Sequence, residues 1–320
     1  MPINADKPHL WKADTRASVD QFNQWFMLFA PKAYRDTRRT TIDSVEQGLT
    51  LTEDLTKIDP ATIKANPGIL PMLRMAMCPP LARDRLVGLA DSSRNFVETL
   101  EAGKLPPRLS TELLAEHLGK ISGVLSKLLD TDIFPWLAEK RRPTEEERYR
   151  SSTIVADRLC GAVADPIVRN AQEKRQLDLL EQRLVAKGYK LKPHPPASPL
   201  REMEPGTFTF RMNVLVKSPQ ENGKAVRIPV DAVIQPLHAR VQHLPLLIEA
   251  KSAGDFTNVN KRRKEEATKM IMLRATYGQD VSFVLLLCGY FDAAYLGFEA
   301  AEGIDWIWEH RIDEIDQLGI

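Results

Sequence analysis

Cysteine is scarce in this chain of 320 residues: Cys78, Cys160 and Cys288 are odd in number, widely scattered and without CxxC spacing, which excludes a disulfide frame and a cysteine zinc or dithiol site. Such usage fits the reducing cytoplasm of a bacterial cell. Charge of one sign is not in excess either, since 44 Lys and Arg face 43 Asp and Glu. A uniformly basic nucleic-acid binder is therefore excluded, and any contact with DNA must come from local clusters. No apolar run is long enough for a bilayer, the longest being VSFVLLLCGYF at 281–291, and the opening MPINADKPHLWK lacks a signal-peptide core. A phosphate-binding glycine loop, GxGxxG, HExxH and GxSxG are all missing, and His9, His117, His194 and His310 have no metal spacing. Nucleotide-driven, hydride-transfer, serine-hydrolase and histidine-metal chemistries thus have no motif to stand on.

What is present changes texture midway. Up to about residue 165 the pattern is helices punctuated by prolines. Val19, Phe22, Trp25, Phe26 and Phe29 form a core stripe at helical spacing that Pro31 is expected to end. Asp59-Pro60 reads as an N-cap with a first-turn proline, and Thr144 with Glu145, Glu146 and Glu147 as a capped, dipole-matched helix start. Asp165-Pro166 is expected to open a long helix through Lys187, with Leu177, Leu180 and Leu184 on one face. After a proline-rich loop at 192–206, strands at 207–217 and 225–235 flank an Asn222-Gly223 turn, and LPLLIEAKS adds a third. A helix over 258–277, with Ala267, Met270 and Ile271 inward, and a buried strand over 281–290 follow. The alternating Trp306 and Trp308 read as a strand packed on the sheet. The expected class is α+β to α/β, with a helical domain at 1–165 and a catalytic domain at 166–320.

Two of these strands end in charge. The third carries Glu249-Ala250-Lys251, the one acidic-x-Lys triplet in the chain, and the second carries Pro229-Val230-Asp231. Alternation puts Ile228, Val230, Ala232 and Ile234 on one face of the second strand and Asp231 with Val233 on the other. On the third strand it places Glu249 and Lys251 together. If the polar positions meet, two carboxylates and an ammonium converge at the ends of buried strands, which is costly without compensation. Magnesium would compensate them, since it prefers hard oxygen ligands and keeps coordination sites for water and phosphate. There it could activate a water, with Lys251 adding charge beside it. The plainer reading is a strand cap beside a surface ion pair.

The order helix, three strands, helix, strand with Asp231, Glu249 and Lys251 so placed resembles the core of the PD-(D/E)XK nucleases. One residue separates the proline from the aspartate, a small departure from the motif. The stretches LWKAD…FNQWFMLFAPKAYR and EAKSAGDFTNVNKRRKEEATKM further resemble the XamI family of type II restriction endonucleases. That resemblance implies Asp231 and Glu249 as metal ligands, the Ala250 carbonyl as an extra ligand, Lys251 as the catalytic lysine, and magnesium-dependent cleavage of double-stranded DNA at a specific site. It also implies a homodimer on a palindrome and a companion DNA methyltransferase.

For DNA contact the sequence offers Lys261, Arg262, Arg263 and Lys264 in the first turn of their helix, to be set against a solvated face neutralised by Glu265 and Glu266. It also offers His238, Arg240, Gln242 and His243 in the loop after the strand bearing Asp231, as base readers or merely exposed residues. Glu181 stands as a third carboxylate or a surface residue. A repair or structure-specific nuclease, and a non-catalytic DNA-binding protein, remain the alternative functions.

Overall fold

In the computed structural model, residues 2–195, 198–218, 224–257 and 259–320 are described, with side chains for all except 162–165 and 259–262. The chain divides into two compact units, Ala30–Val168 and a second made of Met1–Phe29 with Arg169–Ile320. The first 29 residues thus belong with the sheet-bearing unit, whereas the sequence placed them in the helical domain.

The helical unit holds the C-terminal part of α1 (Pro8–Leu51), then α2 (Pro60–Ala65), α3 (Leu70–Met75), α4 (Arg83–Leu89), α5 (Arg94–Glu101), α6 (Thr111–Leu128), α7 (Pro135–Glu139) and the first part of α8 (Glu145–Ala186). Its core gathers Leu49, Leu73, Val97, Ile121, Phe134 and Trp136, all buried. Two helix starts follow their local chemistry. The Asp59 side chain accepts from the Thr62 N–H at 2.8 Å, and Thr144 and Glu147 exchange bonds at 3.2 and 2.8 Å. Two prolines behave differently from expectation. Pro31 lies inside α1 and Pro166 inside α8, so neither ends nor opens a helix. Each removes one backbone donor while keeping a helical φ, a loss that a helix of 44 or 42 residues absorbs. Of the aromatic stripe on α1, Phe22 is buried, but Phe26 is exposed.

The second unit is a six-stranded sheet in sequential order, β1 (Lys190–Leu191), β2 (Thr207–Ser218), β3 (Lys224–Ile234), β4 (Leu246–Ala253), β5 (Phe283–Gly289) and β6 (Asp305–Trp308). Strands β2, β3 and β4 are antiparallel, and β4, β5 and β6 parallel. The crossovers are α9 (Val259–Tyr277) and α10 (Ala293–Ala301). Every residue of β5 is buried, as a central parallel strand covered on both faces requires. On one face Leu247, Leu285, Leu287, Trp306 and Trp308 pack with Met270 and Leu273 of α9 and Leu296 of α10. On the other, Ile248, Val284, Leu286 and Ile307 pack with Leu180 and Leu184 of α8. Ile271, expected inward, is 53% exposed, because the buried stripe of α9 runs through Glu266, Met270 and Leu273 instead. The Asn222-Gly223 turn lies outside the described residues.

Backbone N–H groups of Ile3, Asn4 and Ala5 all donate to the Asp305 carboxylate at the head of β6, and Arg311 pairs with Asp14 at 2.6 Å. At the far end of β5, Gly289 has φ 98° and a Cβ there would lie 2.1 Å from the Ala253 carbonyl oxygen. Only glycine lets the ends of β4 and β5 approach so closely.

The feature that shapes the site is a break in β2 and β3. Their ladder passes from Phe210↔Ala232 to Met212↔Val230, skipping Arg211 opposite Asp231, and Arg211 holds φ at 53°. A non-glycine residue in this region bends its strand and interrupts pairing. Side chains change cores across it: Phe208, Ala232 and Ile234 pack on the α8 side, Met212, Val214, Ile228 and Val230 on the α9 side. Strict alternation put Ile228, Val230, Ala232 and Ile234 on one face; the kink divides them. Pairing between β3 and β4 covers Ile234↔Leu246, Val233↔Leu247 and Ala232↔Ile248 and ends there, one residue before Asp231 and Glu249.

Candidate active site

Where β3 and β4 stop pairing, the Asp231 side chain takes over the role of the ladder: its Oδ2 accepts the Ala250 N–H at 2.8 Å. This single bond brings Asp231 to the triplet Glu249-Ala250-Lys251. Burial pushes the Asp231 carboxyl up to about 6, and the neighbouring Glu249 adds to the shift, against the Ala250 N–H and Lys251.

Glu249 is buried at 5% exposure and its Oε1 carries two ammonium groups, Lys251 Nζ at 3.0 Å and Lys269 Nζ at 2.6 Å. Lys269, from α9, also donates to the Pro229 carbonyl at 2.9 Å, tying β3 to the same point. Lys251 Nζ lies 3.6 Å from Glu266 Oε1. Burial works against its positive charge, but Glu249, Glu266 and Asp231 outweigh burial and raise its pKa, so Lys251 is a cation near neutrality and not a general base.

Beyond Lys251 lies a second acidic layer. Glu266 and Glu299 are both fully buried, and the Tyr295 hydroxyl donates to Glu266 Oε2 at 2.7 Å. Burial first, then the charge of Glu266, pushes the Glu299 carboxyl up to about 9. A carboxyl whose folded pKa lies above its ordinary 4.5 keeps its proton in the fold while the unfolded chain releases it. Its contribution to stability is therefore full below about 4.5 and is lost as pH rises toward 9. Glu299→Gln, which has no proton to lose, is expected to be more stable than the wild-type chain at pH 8–9 by on the order of 1–3 kcal/mol, and near equal at pH 5. Urea unfolding at the two pH values checks this; an equal offset at both would refute it.

The sequence-derived candidates divide accordingly. Asp231, Glu249, Ala250 and Lys251 meet at one point. Lys261 and Arg262 have side chains outside the described residues. Arg263 turns inward, its guanidinium 4.1 Å over the Phe298 ring, and Lys264 is exposed. Glu266, expected on a solvated face, is buried against Lys251 and Tyr295. His238, Arg240, Gln242 and His243 are exposed in the β3–β4 loop, at the end where the two strands still pair. At the rise of a strand, three residues from Ile234 back to Asp231 cover about 10 Å. On α8 the acid whose charge reaches Asp231 is Glu173, ion-paired with Arg211 at 2.9 Å, rather than Glu181. Lys269 and Tyr295 were not singled out in the sequence, and Glu266 only as an acid of a solvated face. A usable signal existed for Glu266, a charged residue in register with Met270 and Leu273.

Among the described residues no group of three or more His, Cys, Asp or Glu side chains is placed to hold a metal ion. Two carboxylates nevertheless offer hard oxygens, and one observation favours a cation: Glu249 Oε2 is buried and without a hydrogen-bond partner. An ion there would take its remaining ligands from backbone, water and bound phosphate.

A profile of the XamI restriction endonuclease family matches residues 53–308. The chain belongs to this family. The match spans both units, from the helical core to the last strand of the sheet. Similar family proteins include the type II restriction enzyme SalI of Streptomyces albus G, 56% identical over 317 residues, which are 99% of each chain. The type II restriction enzyme XamI of Xanthomonas campestris pv. amaranthicola is 27% identical over 205 residues, 62% of this chain and 64% of that enzyme. No solved structure matches the chain. No helix among the described residues is long and apolar enough to cross a membrane.

Proposed function

We propose that the type II restriction activity of this family is carried out here by Asp231, Glu249 and Lys251 in a core of the PD-(D/E)XK type, on double-stranded DNA and with magnesium. The observation that carries the reading is the convergence of the three side chains where β3 and β4 stop pairing, through the Asp231–Ala250 and Glu249–Lys251 contacts. Asp231 and Glu249, with the Ala250 carbonyl, would hold the ion, which when bound supplies a water of lowered pKa and charge against the reacting phosphate. Asp231 is ionised at neutral pH, so it presents a carboxylate to the ion. Lys251 holds a fixed positive charge next to that position and favours the phosphate in its more highly charged, five-coordinate arrangement. Lys269 donates to the same Glu249 Oε1 and holds that side chain in its rotamer.

DNA contact is proposed for Lys264 and for the side chains of Lys261 and Arg262, and less for Arg263, which already stacks on Phe298. Base reading by His238, Arg240, Gln242 and His243 is proposed on their exposure. A homodimer on a palindromic site and a companion methyltransferase in a bacterial cytoplasm complete the proposal. The test is incubation of the purified chain with unmethylated phage DNA. Discrete fragments are expected with magnesium and none with a chelator in its place. Fragments that persist in the chelator would overturn the metal role, and cutting at random positions would point to a repair or structure-specific nuclease.

A further inference from the structure

Glu266 is a carboxylate in a position otherwise lined by apolar side chains. It lies on the buried stripe of α9 with Met270 and Leu273, at 0% exposure, where a leucine would pack without cost of desolvation. Its polar neighbours are specific. Oε2 is engaged by the Tyr295 hydroxyl at 2.7 Å, from α10, the Glu299 carboxyl lies against the same group, and Oε1 is 3.6 Å from Lys251 Nζ. Lys251 in turn is shared between Glu266 and Glu249.

This sharing has a chemical use. Glu249 is the partner that a divalent cation would also claim, and a cation on Glu249 weakens its hold on Lys251 by repelling the ammonium directly. Glu266 is a separate partner of Lys251 and keeps its own attraction. We propose that Glu266, held in its rotamer by Tyr295, is a positioning residue that anchors the Lys251 ammonium when Glu249 is engaged by metal. The inference rests on the active-site reading above. It goes further in making α9 and α10 part of the catalytic apparatus: α9 supplies the anchor and α10 the hydroxyl that orients it.

The test compares initial rates of fragment release from unmethylated phage DNA, together with Kd for that DNA in the absence of magnesium and the thermal midpoint of each protein. Glu266→Gln keeps the shape and the Tyr295 bond but removes the charge. Its kcat is expected to fall about 10–100-fold, the range for groups that hold a catalytic ligand in place, with KM and Kd unchanged. Glu266→Leu also takes an acceptor from the Tyr295 hydroxyl and is expected to lose kcat with a lower thermal midpoint, so the folding control is Glu266→Gln, whose midpoint is expected to match that of the wild-type chain. Tyr295→Phe should lose less, and Glu266→Asp should recover part of the rate. A wild-type kcat in Glu266→Gln, or a loss of kcat in Glu266→Gln that tracks a fall in its thermal midpoint, overturns the inference. Lys251→Ala run in parallel separates the two readings. If it is inactive while Glu266→Gln is wild type, only the anchor is wrong; if Lys251→Ala cuts normally, the active site itself is misplaced.

Discussion

Lys251→Ala and Asp231→Asn are each expected to reduce DNA cleavage by about 10²–10³-fold or more while leaving the protein folded, the scale on which a preorganised charge at the reacting centre acts. The folding half of this expectation follows from the geometry. Removing the ammonium of Lys251 leaves Glu249 still paired with Lys269 at 2.6 Å, and Glu266, which loses its ion partner, keeps the Tyr295 hydroxyl at 2.7 Å. Asp231→Asn deletes a charge that burial already opposes, since the carboxyl is pushed up to about 6, and an asparagine oxygen accepts the Ala250 N–H equally well. Circular dichroism should therefore match the wild-type chain while fragments disappear. A folded variant of either residue that cuts as fast as the wild-type chain would remove that residue from the site.

Glu249→Ala should behave differently, with a loss of stability on top of the loss of activity. Its Oε1 is the common partner of Lys251 and Lys269, whose side chains are 17% and 15% exposed. Deleting one member of a buried ionic cluster typically costs about 3–5 kcal/mol because the partners stay buried and unpaired. The lower part of that range is expected here, since Lys251 retains Glu266 and Lys269 retains the Pro229 carbonyl. The pairing with Lys269 can be isolated by a cycle of Glu249→Ala, Lys269→Met and the double variant in urea unfolding. Recovery of stability in the double variant supports the account. A double variant as unstable as the sum of the single ones would mean that Lys269 and Glu249 are not coupled. The practical consequence is that Glu249→Ala confounds catalysis with folding, whereas Asp231 and Lys251 report on chemistry alone.

The parts of the fold and site legible in the sequence are those decided by neighbours in the chain. Caps at Asp59 and Thr144 depend on residues three apart, and both form. The strands β2 to β5 carry their own apolar patterns, and the triplet Glu249-Ala250-Lys251 with Asp231 upstream marked residues that the fold brings together. What escaped depends on distant packing. Pro31 and Pro166 read as breaks because a proline removes a hydrogen bond, but whether a helix tolerates that loss depends on what its flanks pack against. The face swap in β3 is decided by the backbone of Arg211, which stands on the partner strand twenty positions from Asp231 in sequence. Lys269 was invisible as a site residue because nothing in its own helix marks it, and its partners Pro229 and Glu249 come from two other elements. The inward choice of Glu266 over Ile271 shows the same limit: a polar side chain reads as outward unless its buried partner is known.

The joining of Met1–Phe29 to Arg169–Ile320 also orders events in time during synthesis. The amides of Ile3, Asn4 and Ala5 close on Asp305, and the bond from Ile3 spans 302 positions of the chain. At ribosomal speeds of about 5–20 residues per second, their acceptor leaves the ribosome on the order of fifteen seconds to a minute after they do. The residues of Ala30–Val168 have all emerged before then, whereas the clasp from Ile3, Asn4 and Ala5 cannot close until Asp305 has emerged. The first residues of a nascent chain thus wait for the strand on which their amides close.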